Sequence, residues 1–515
     1  MERTYYVTTP IYYISGNPHI GHAYTTIVAD VLARMARTFC PTFFLTGTDE
    51  HGQKVANAAA AAGKSPQQWC DDLVPRWKAL FTAYHVEYDD FIRTTEPRHM
   101  EKVTRVFERL RETGDIYLGK YEGWYCVDDE TFWLESKLVA GRCPMCGREV
   151  TWISEEDWFF RLSAYRDRLV EYFERNPNWV QPKSVYNEMM AFLREGLDDL
   201  SVSRTSFDWG VKVPGAEDHV MYVWVDALTN YLTGLGYPDD TEDFRKFWPA
   251  DVHLIGKDIV RFHAVYWPAF LMSAGLPLPR TVFGHGFLLN RGQKESKSLG
   301  NVTDPHELAD RFGVDVLRYF LCREISFGQD GSYSAEAIVM RANSELANAF
   351  GNLAQRTLSL IVKNCDGALP AITGHDAADA ALFETIDAAV RDEIPAAFNA
   401  LALHQGVEAW LQAVFACNAY IDAQAPWALK KTDPERMRTV LATLYIAIAQ
   451  LAVAIAPVIP GSAGKLLDQM GIAPELRDYA TIGSHWYSPL AESGFRLAPP
   501  VPLFPRLELP EEVAS

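Results

Sequence analysis

No run of this sequence is apolar for long enough to cross a bilayer. The longest, residues 445–460, is interrupted by Gln450 and carries prolines at 457 and 460. The N-terminus shows no basic segment followed by an apolar core, so no secretion signal is expected. Cysteine is sparse: 8 in 515 residues at uneven spacing, too scattered for a disulfide framework, which points to a reducing, cytoplasmic setting. Positive charge is in deficit, with 48 Lys and Arg against 67 Asp and Glu and a net charge of -19. That balance speaks against a wholly basic nucleic-acid-binding surface; a local cationic track remains open, and acidity elsewhere suppresses non-specific RNA binding. What is present, 48% apolar and 22% charged residues, is an ordinary globular composition for about three or four domain-sized units.

Near the N-terminus stands His19-Ile20-Gly21-His22. Before it, Tyr5 to Tyr13 reads as a β-strand by its aromatic and β-branched content, and Ser15-Gly16-Asn17-Pro18 as a turn. After it, Ala23 to Arg37 carries Ile27, Val28, Val31 and Leu32 at helical spacing. Two imidazoles at a strand-turn-helix junction are poor core residues. They suit an anion such as a phosphate, which the helix start also attracts. A matching cationic element comes much later in Lys294-Glu295-Ser296-Lys297-Ser298-Leu299-Gly300-Asn301. In isolation such a loop would be an ordinary solvated hairpin.

Two further strands end in polar, glycine-bounded clusters, as open parallel sheets do at their carboxyl edge. Thr42 to Thr46 runs into Gly47-Thr48-Asp49-Glu50-His51-Gly52, and Val252 to Ile255 into Gly256-Lys257-Asp258-Ile259. Between them Trp224, Ala227, Leu228 and Tyr231 recur at helical spacing. Cys126 and the pair Cys143/Cys146, with Pro144 and Gly147, have the spacing of a small structural zinc knuckle. One cysteine of that pattern is replaced by Asp129, or by Asp128; carboxylate oxygen is an acceptable zinc ligand. Beyond about Arg341 the chain becomes alanine-rich, with helical periodicity through residues 346–361, 400–421 and 437–454, which predicts a helix bundle. Within it Asn352 and Arg356 lie four apart on one face, and Trp427 follows Pro426 after a helix end.

The pairing of His-x-Gly-His with Lys-x-Ser-Lys-Ser resembles class I aminoacyl-tRNA synthetases. The strings Thr9 to Tyr13, Gly47 to Gly52, Tyr222 to Ala227 and Ile255 to Ile259 resemble the methionyl-tRNA synthetase family, over residues 5–507. The resemblance implies an ATP-dependent, AMP-forming ligase that activates L-methionine and charges tRNA(Met), with Mg2+ assisting the phosphates. His19, Gly21, His22, Gly256, Asp258, Lys294, Ser296 and Lys297 would bind ATP, with His19, His22, Lys294 and Lys297 catalytic through charge stabilisation. Asp49 would pair with the methionine ammonium. Ile11, Tyr13, Trp224, Ala227, Leu228, Tyr231, Ile259 and His263 would line the side-chain pocket, where Tyr231 and His263 offer polar contacts to sulfur. Cys126, Asp129, Cys143 and Cys146 would hold zinc in a connective insertion. Asn352, Arg356 and Trp427 would read anticodon bases. Glu295 departs from the usual apolar residue and adds negative charge beside an anionic ligand.

The expected architecture is a doubly wound parallel Rossmann-type α/β domain (1–116 and 208–285) split by the knuckle insertion (117–207). A linker region with the lysine loop (286–340) and a helical bundle with a C-terminal tail (341–515) follow. A monomer without membrane attachment is expected. Three rivals are weighed. A synthetase for leucine or isoleucine would need a large editing insertion, for which the interval between the signatures is too short. An inactive tRNA-binding paralogue would lose the site residues. A simple nucleotidylyltransferase would not need the bundle.

Overall fold

The computed structural model describes residues 3–294, 303–372 and 374–509. Its contacts divide the chain into two compact units: Met1–Pro18, Pro41–Phe81 and Glu87–His285 form one, and His19–Cys40, Thr82–Val86 and Gly286–Ser515 the other.

The first unit is built on a seven-stranded sheet in which every pairing is parallel. At its centre Tyr5–Thr8 lies between Thr42–Asp49 and Val252–Gly256. Tyr6, Val7, Phe44, Leu45, Leu254 and Ile255 are fully buried, as expected of strands covered on both faces. The strand expected from Tyr5 to Tyr13 is broken. Tyr5 pairs with Thr42 and Tyr12 with Thr48, so one extra residue is accommodated between the two pairings. The interruption falls at Thr9–Ile11, where Pro10 has no N–H to give the ladder. Thr9 Oγ1 fills the gap, 2.7 Å from Thr46 Oγ1 and 2.8 Å from the Pro10 carbonyl it donates to.

Four antiparallel strands, Thr131–Trp133, Ile116–Cys126, Thr151–Phe160 and Leu200–Ser201, form a separate sheet that carries the cysteines. The chain returns to the main sheet inside the span expected for the insertion, because Val180–Gln181 pairs with Val282–Phe283. The helix predicted around Trp224 spans Val223–Thr233 and is buried throughout.

The second unit contains the helix Ile20–Arg37 and a bundle whose long helices are Leu403–Gln424 and Pro434–Ile455. Contrary to the reading of the sequence, the latter is by length and composition long and apolar enough to cross a membrane, but 94% of its most apolar window is buried inside the protein. The periodic stretch predicted from Leu346 begins in a π-helix, Ala342–Gly351, before Asn352–Asn364 continues as α-helix.

A fully buried Arg318 ties this unit together. Its guanidinium donates to Asp30 Oδ2 at 2.6 Å and to the carbonyls of Tyr84, Pro457 and Val458 at 2.9–3.0 Å. Asp30, also buried, accepts a second bond from Arg34 at 2.8 Å. Removing one member of a buried ion pair strands the other charge. Asp30→Ala is therefore expected to destabilise the intact chain by about 3 kcal/mol or more, read as a lower midpoint in urea unfolding; an unmoved midpoint contradicts that role.

Candidate active site

In the second unit His19 caps the helix Ile20–Arg37. Its Nδ1 accepts the Gly21 N–H at 3.1 Å, while His22 Nδ1 accepts the His19 N–H at 3.1 Å. The rings lie 3.7 Å apart. With each Nδ1 accepting, the neutral imidazoles carry their proton on Nε2, a donor of the kind phosphate oxygens accept. A Cβ on Gly21 would stand 3.0 Å from the His19 ring, so glycine is what lets the histidine fold back onto the helix start. Lys294 belongs to the short strand Gln293–Lys294, paired with Leu288–Asn290. The remainder of the loop, with Glu295, Ser296 and Lys297, lies outside the described residues.

In the first unit the residues expected around methionine are brought together. Asp49 ends its strand 2% exposed, with Oδ1 unpartnered among the described residues. Its carboxyl is held well above the usual carboxylate range by burial first, then by the charges of Asp226 and Glu130, against one hydrogen bond from the His51 backbone. The Tyr13 hydroxyl and Trp224 Nε1 are likewise buried and unpartnered. The Tyr13 and Trp224 rings meet edge to face at 6.3 Å, and Trp224 stacks on Phe262 at 3.9 Å. Ile11, Ala227, Leu228 and Tyr231 belong to the same buried cluster, with Ile259 packed against it.

His263 lies in a π-helical turn, Phe262–Tyr266, a local irregularity common at functional sites. Its Nδ1 donates to the Ile259 carbonyl at 2.9 Å, which leaves Nε2 to accept the Tyr231 hydroxyl at 2.7 Å. Burial depresses its pKa to about 4, so the ring is neutral near pH 7. The donors expected to face sulfur are therefore engaged with each other and with the backbone. What the pair offers a thioether is polarizable ring surface and an oxygen lone pair. Behind it, His253 accepts from Trp267 Nε1 at 3.2 Å and pairs with Thr8 Oγ1 at 2.8 Å. Gly256 and Asp258 sit where Val252–Gly256 enters a short 3-10 turn. A Cβ on Gly256 would stand 2.5 Å from Asp258 Oδ1.

Sequence reasoning did not single out the charged layer beside Asp49. Asp226 accepts from His51 Nδ1 at 2.6 Å and His99 Nε2 at 2.7 Å, all three buried. Burial alone would raise the Asp226 pKa, but the two histidines outweigh it and leave it at about 2. Glu50, fully buried, is satisfied by Arg93, Thr48 and Thr95. Arg204, 1% exposed, lies 4.4 Å from the centres of the Phe132 and Tyr222 rings. His51 and Asp226 occur in the quoted strings, but their pairing across 175 residues carries no local signal.

The ligand atoms of Cys126, Asp129, Cys143 and Cys146 all lie within 4.8 Å of one another. Cys126 and Cys146 sulfurs are 3.5 Å apart, and Asp129 Oδ2 is 3.0 Å from Cys143 Sγ. These separations suit a tetrahedral cation with bonds of about 2.0–2.3 Å. Of the two aspartates, Asp129 enters the cluster and Asp128 pairs with Arg148. Burial pushes the Cys126 thiol up to about 11, a cost that a bound cation would offset by favouring thiolate.

In the bundle, Arg356 donates to Asp422 Oδ1 at 2.9 Å and its guanidinium carbon is 5.4 Å from the centre of the Trp427 ring. Trp427 is 48% exposed, and Asn352 is exposed at the start of its helix.

A family profile described as tRNA synthetases class I (M) matches residues 5–152 and 147–358, and one described as the anticodon binding domain of methionyl tRNA ligase matches 369–509. A methionine–tRNA ligase of Mycobacterium bovis is 51% identical, the match covering 99% of both chains. One of Rhizobium meliloti is 49% identical over 98% of this chain and 99% of its own. A crystal structure of Mycobacterium tuberculosis methionyl-tRNA synthetase bound by methionyl-adenylate superposes with a TM-score of 0.94 at 50% identity, covering 98% of this chain and 100% of that one.

The buried Asp49 carboxyl, with one oxygen unmet, bears on stability. A buried acid whose folded pKa is raised loses stability as pH climbs above its unfolded value of about 3.9, because the unfolded chain ionises more readily. Asp49→Asn should thus raise the melting temperature at pH 7.5 by about 2 °C or more, with the gain shrinking towards pH 4. A lower melting temperature at pH 7.5 contradicts it.

Proposed function

The chain belongs to the class I methionine–tRNA ligase family, and from that premise we propose how its residues divide the reaction. The enzyme activates methionine with ATP and transfers it to tRNA. In the first step a methionine carboxylate oxygen attacks the α-phosphorus, the bond to the β-phosphate oxygen breaks, and pyrophosphate leaves with that electron pair. In the second, the terminal ribose hydroxyl of tRNA attacks the acyl carbon and AMP departs. Neither step needs a nucleophilic side chain; positioning and charge stabilisation supply the acceleration.

The observation that carries the substrate reading is the buried Asp49 carboxyl with an unmet oxygen beside the Tyr13 hydroxyl. An α-ammonium is the group that satisfies it and lets it ionise. The thioether then lies among Ile11, Tyr13, Trp224, Ala227, Leu228, Tyr231, Ile259 and His263. Sulfur is polarizable and is well held by aromatic faces. Gly256 and Asp258 take the adenosine, His19, Gly21 and His22 the phosphates, and Lys294, Ser296 and Lys297 the departing pyrophosphate. A Mg2+ ion carried by the phosphates supplies further charge neutralisation, and no residue is assigned to it.

Zn2+ on Cys126, Asp129, Cys143 and Cys146 is assigned a structural role. Asn352 and Arg356 hydrogen-bond base edges and Trp427 stacks on an unpaired base of the tRNA(Met) anticodon. Arg356 must then exchange its present contacts with Asp422 and Trp427 for the nucleotide. The proposed division by role is 1–116 and 208–285, 117–207, 286–340 and 341–515, with Val180–Gln181, inside 117–207, serving as a strand of the main sheet. A monomer working in the cytoplasm completes the reading.

Amino-acid-dependent exchange of labelled pyrophosphate into ATP, run over the twenty amino acids, is expected to respond to methionine. Exchange with leucine or isoleucine in its place defeats the specificity assignment, and exchange with none defeats the activity. For the knuckle, protein prepared without chelators should carry about one equivalent of zinc by elemental analysis, and Cys146→Ser far less. Less than about a tenth of an equivalent in the wild type contradicts the ligand set.

A further inference from the structure

One unmet polar atom near Asp49 is left over after the substrate groups are assigned. Glu130 directly follows the knuckle residue Asp129, is 1% exposed, and holds a left-handed backbone with φ +48°. Its carbonyl accepts the Tyr222 hydroxyl at 2.7 Å and its Oε2 accepts the Tyr125 hydroxyl. Two hydroxyls on one buried residue, in a conformation that side chains with a Cβ seldom adopt, indicate a side chain held in place by its surroundings. Oε1 is buried and has no well-aligned hydrogen-bond partner among the described residues. It lies 3.1 Å from where a Cβ of Gly52 would stand.

Gly52 is the N-cap of the helix Gln53–Ala61. At φ +96°, and with no side chain, it gives the first-turn N–H groups no cap of its own. The Glu130 carboxyl is the acidic group facing that end; burial raises its pKa, and against this the Tyr125 hydroxyl, Arg204 and then the Lys54 backbone N–H and ammonium favour its charged form. An anion at a helix start is stabilising, and here it arrives from a separate β-hairpin. The N-cap of this helix, Gly52, lies three residues after Asp49, and the charge on Glu130 is felt at both the Asp49 carboxyl and the Tyr13 hydroxyl.

We propose that Glu130 is a positioning residue for methionine: by capping the helix Gln53–Ala61 from the knuckle hairpin, it fixes the Asp49–Gly52 turn and thereby the aim of the Asp49 carboxylate. The inference rests on Asp49 as the ammonium partner. It adds a residue that touches neither substrate nor metal.

The test is methionine-dependent pyrophosphate exchange with the full chain as wild type, Glu130→Ala, Glu130→Gln and Tyr125→Phe, with zinc content and melting temperature measured on each. Glu130→Ala is expected to raise KM for methionine about tenfold, equivalent to about 1.4 kcal/mol, while kcat and KM for ATP stay within about twofold. Glu130→Gln keeps an oxygen for the cap and should restore KM to within about threefold of the wild type. Tyr125→Phe removes the bond that holds the carboxylate and should raise KM about threefold. Zinc content should not change in any variant.

A methionine KM unmoved in Glu130→Ala overturns the proposal. So does an equal loss in kcat and both KM values, or a Glu130→Gln variant as impaired as Glu130→Ala. If Glu130→Ala does not fold, Tyr125→Phe decides, and an unchanged KM there is negative. Absence of exchange in the wild type overturns the parent reading and this one with it, whereas normal wild-type exchange with unmoved KM values overturns this one alone.

Discussion

A carboxyl group kept in the interior without a cation is a costly arrangement, and the first unit is organised around one. Asp49 is 2% exposed, beside a second buried carboxylate, Asp226, and a third, Glu130. Left to burial alone, all three would tend to protonate. Each is treated differently. Asp226 receives two histidines and keeps its charge. Glu130 receives a hydroxyl and faces a helix start. Asp49 receives one backbone hydrogen bond and retains an unmet oxygen. On the proposed reading, that difference makes Asp49 the binding group and its neighbours scaffolding. Glu50, the adjacent residue, shows the alternative: bonded to Arg93 and two threonines, it has little left to offer a ligand.

On the same reading the surrounding layer would select for an uncharged, polarizable side chain. His263 is neutral and both its nitrogens are engaged, so it contributes surface without charge. His253, buried and pushed well below the ordinary histidine range, is also neutral and is satisfied by Thr8 and Trp267. A leucine side chain would find the same apolar walls. A sulfur atom placed there would gain in addition from the faces of Trp224 and Tyr231 and from the Tyr231 oxygen. The break at Pro10 belongs to this layer, because the extra residue it accommodates changes how Ile11 and Tyr13 leave the sheet.

Local patterns carried a large part of this structure into the sequence. The helix after His19 and the aromatic helix around Trp224 are where composition and period put them, because each rests on contacts within a few residues; the strand expected over 42–46 runs on to Asp49. The knuckle was legible from cysteine spacing, but only geometry chose between Asp128 and Asp129. What was not legible depends on distant partners. No period announces that Arg318 will find Asp30, or that His99 and His51 will share Asp226. The π-helical turn at His263 has no compositional signature. Glu130 carries no pattern of its own, because its neighbour Gly52 is far away in the chain. The return of Val180–Gln181 to the main sheet was invisible for the same reason: two residues are too few to set a pattern.

The proposed partner of the unmet Asp49 oxygen is the ammonium group of the amino acid. Calorimetric titration of the full-length protein with L-methionine, and separately with its desamino analogue 4-(methylthio)butanoate, tests it directly. The analogue keeps the thioether and the carboxylate and lacks only the cation. A loss of affinity of about 100-fold or more, the scale of an uncompensated buried charge, is the predicted result. Equal affinity for the two compounds would contradict the account.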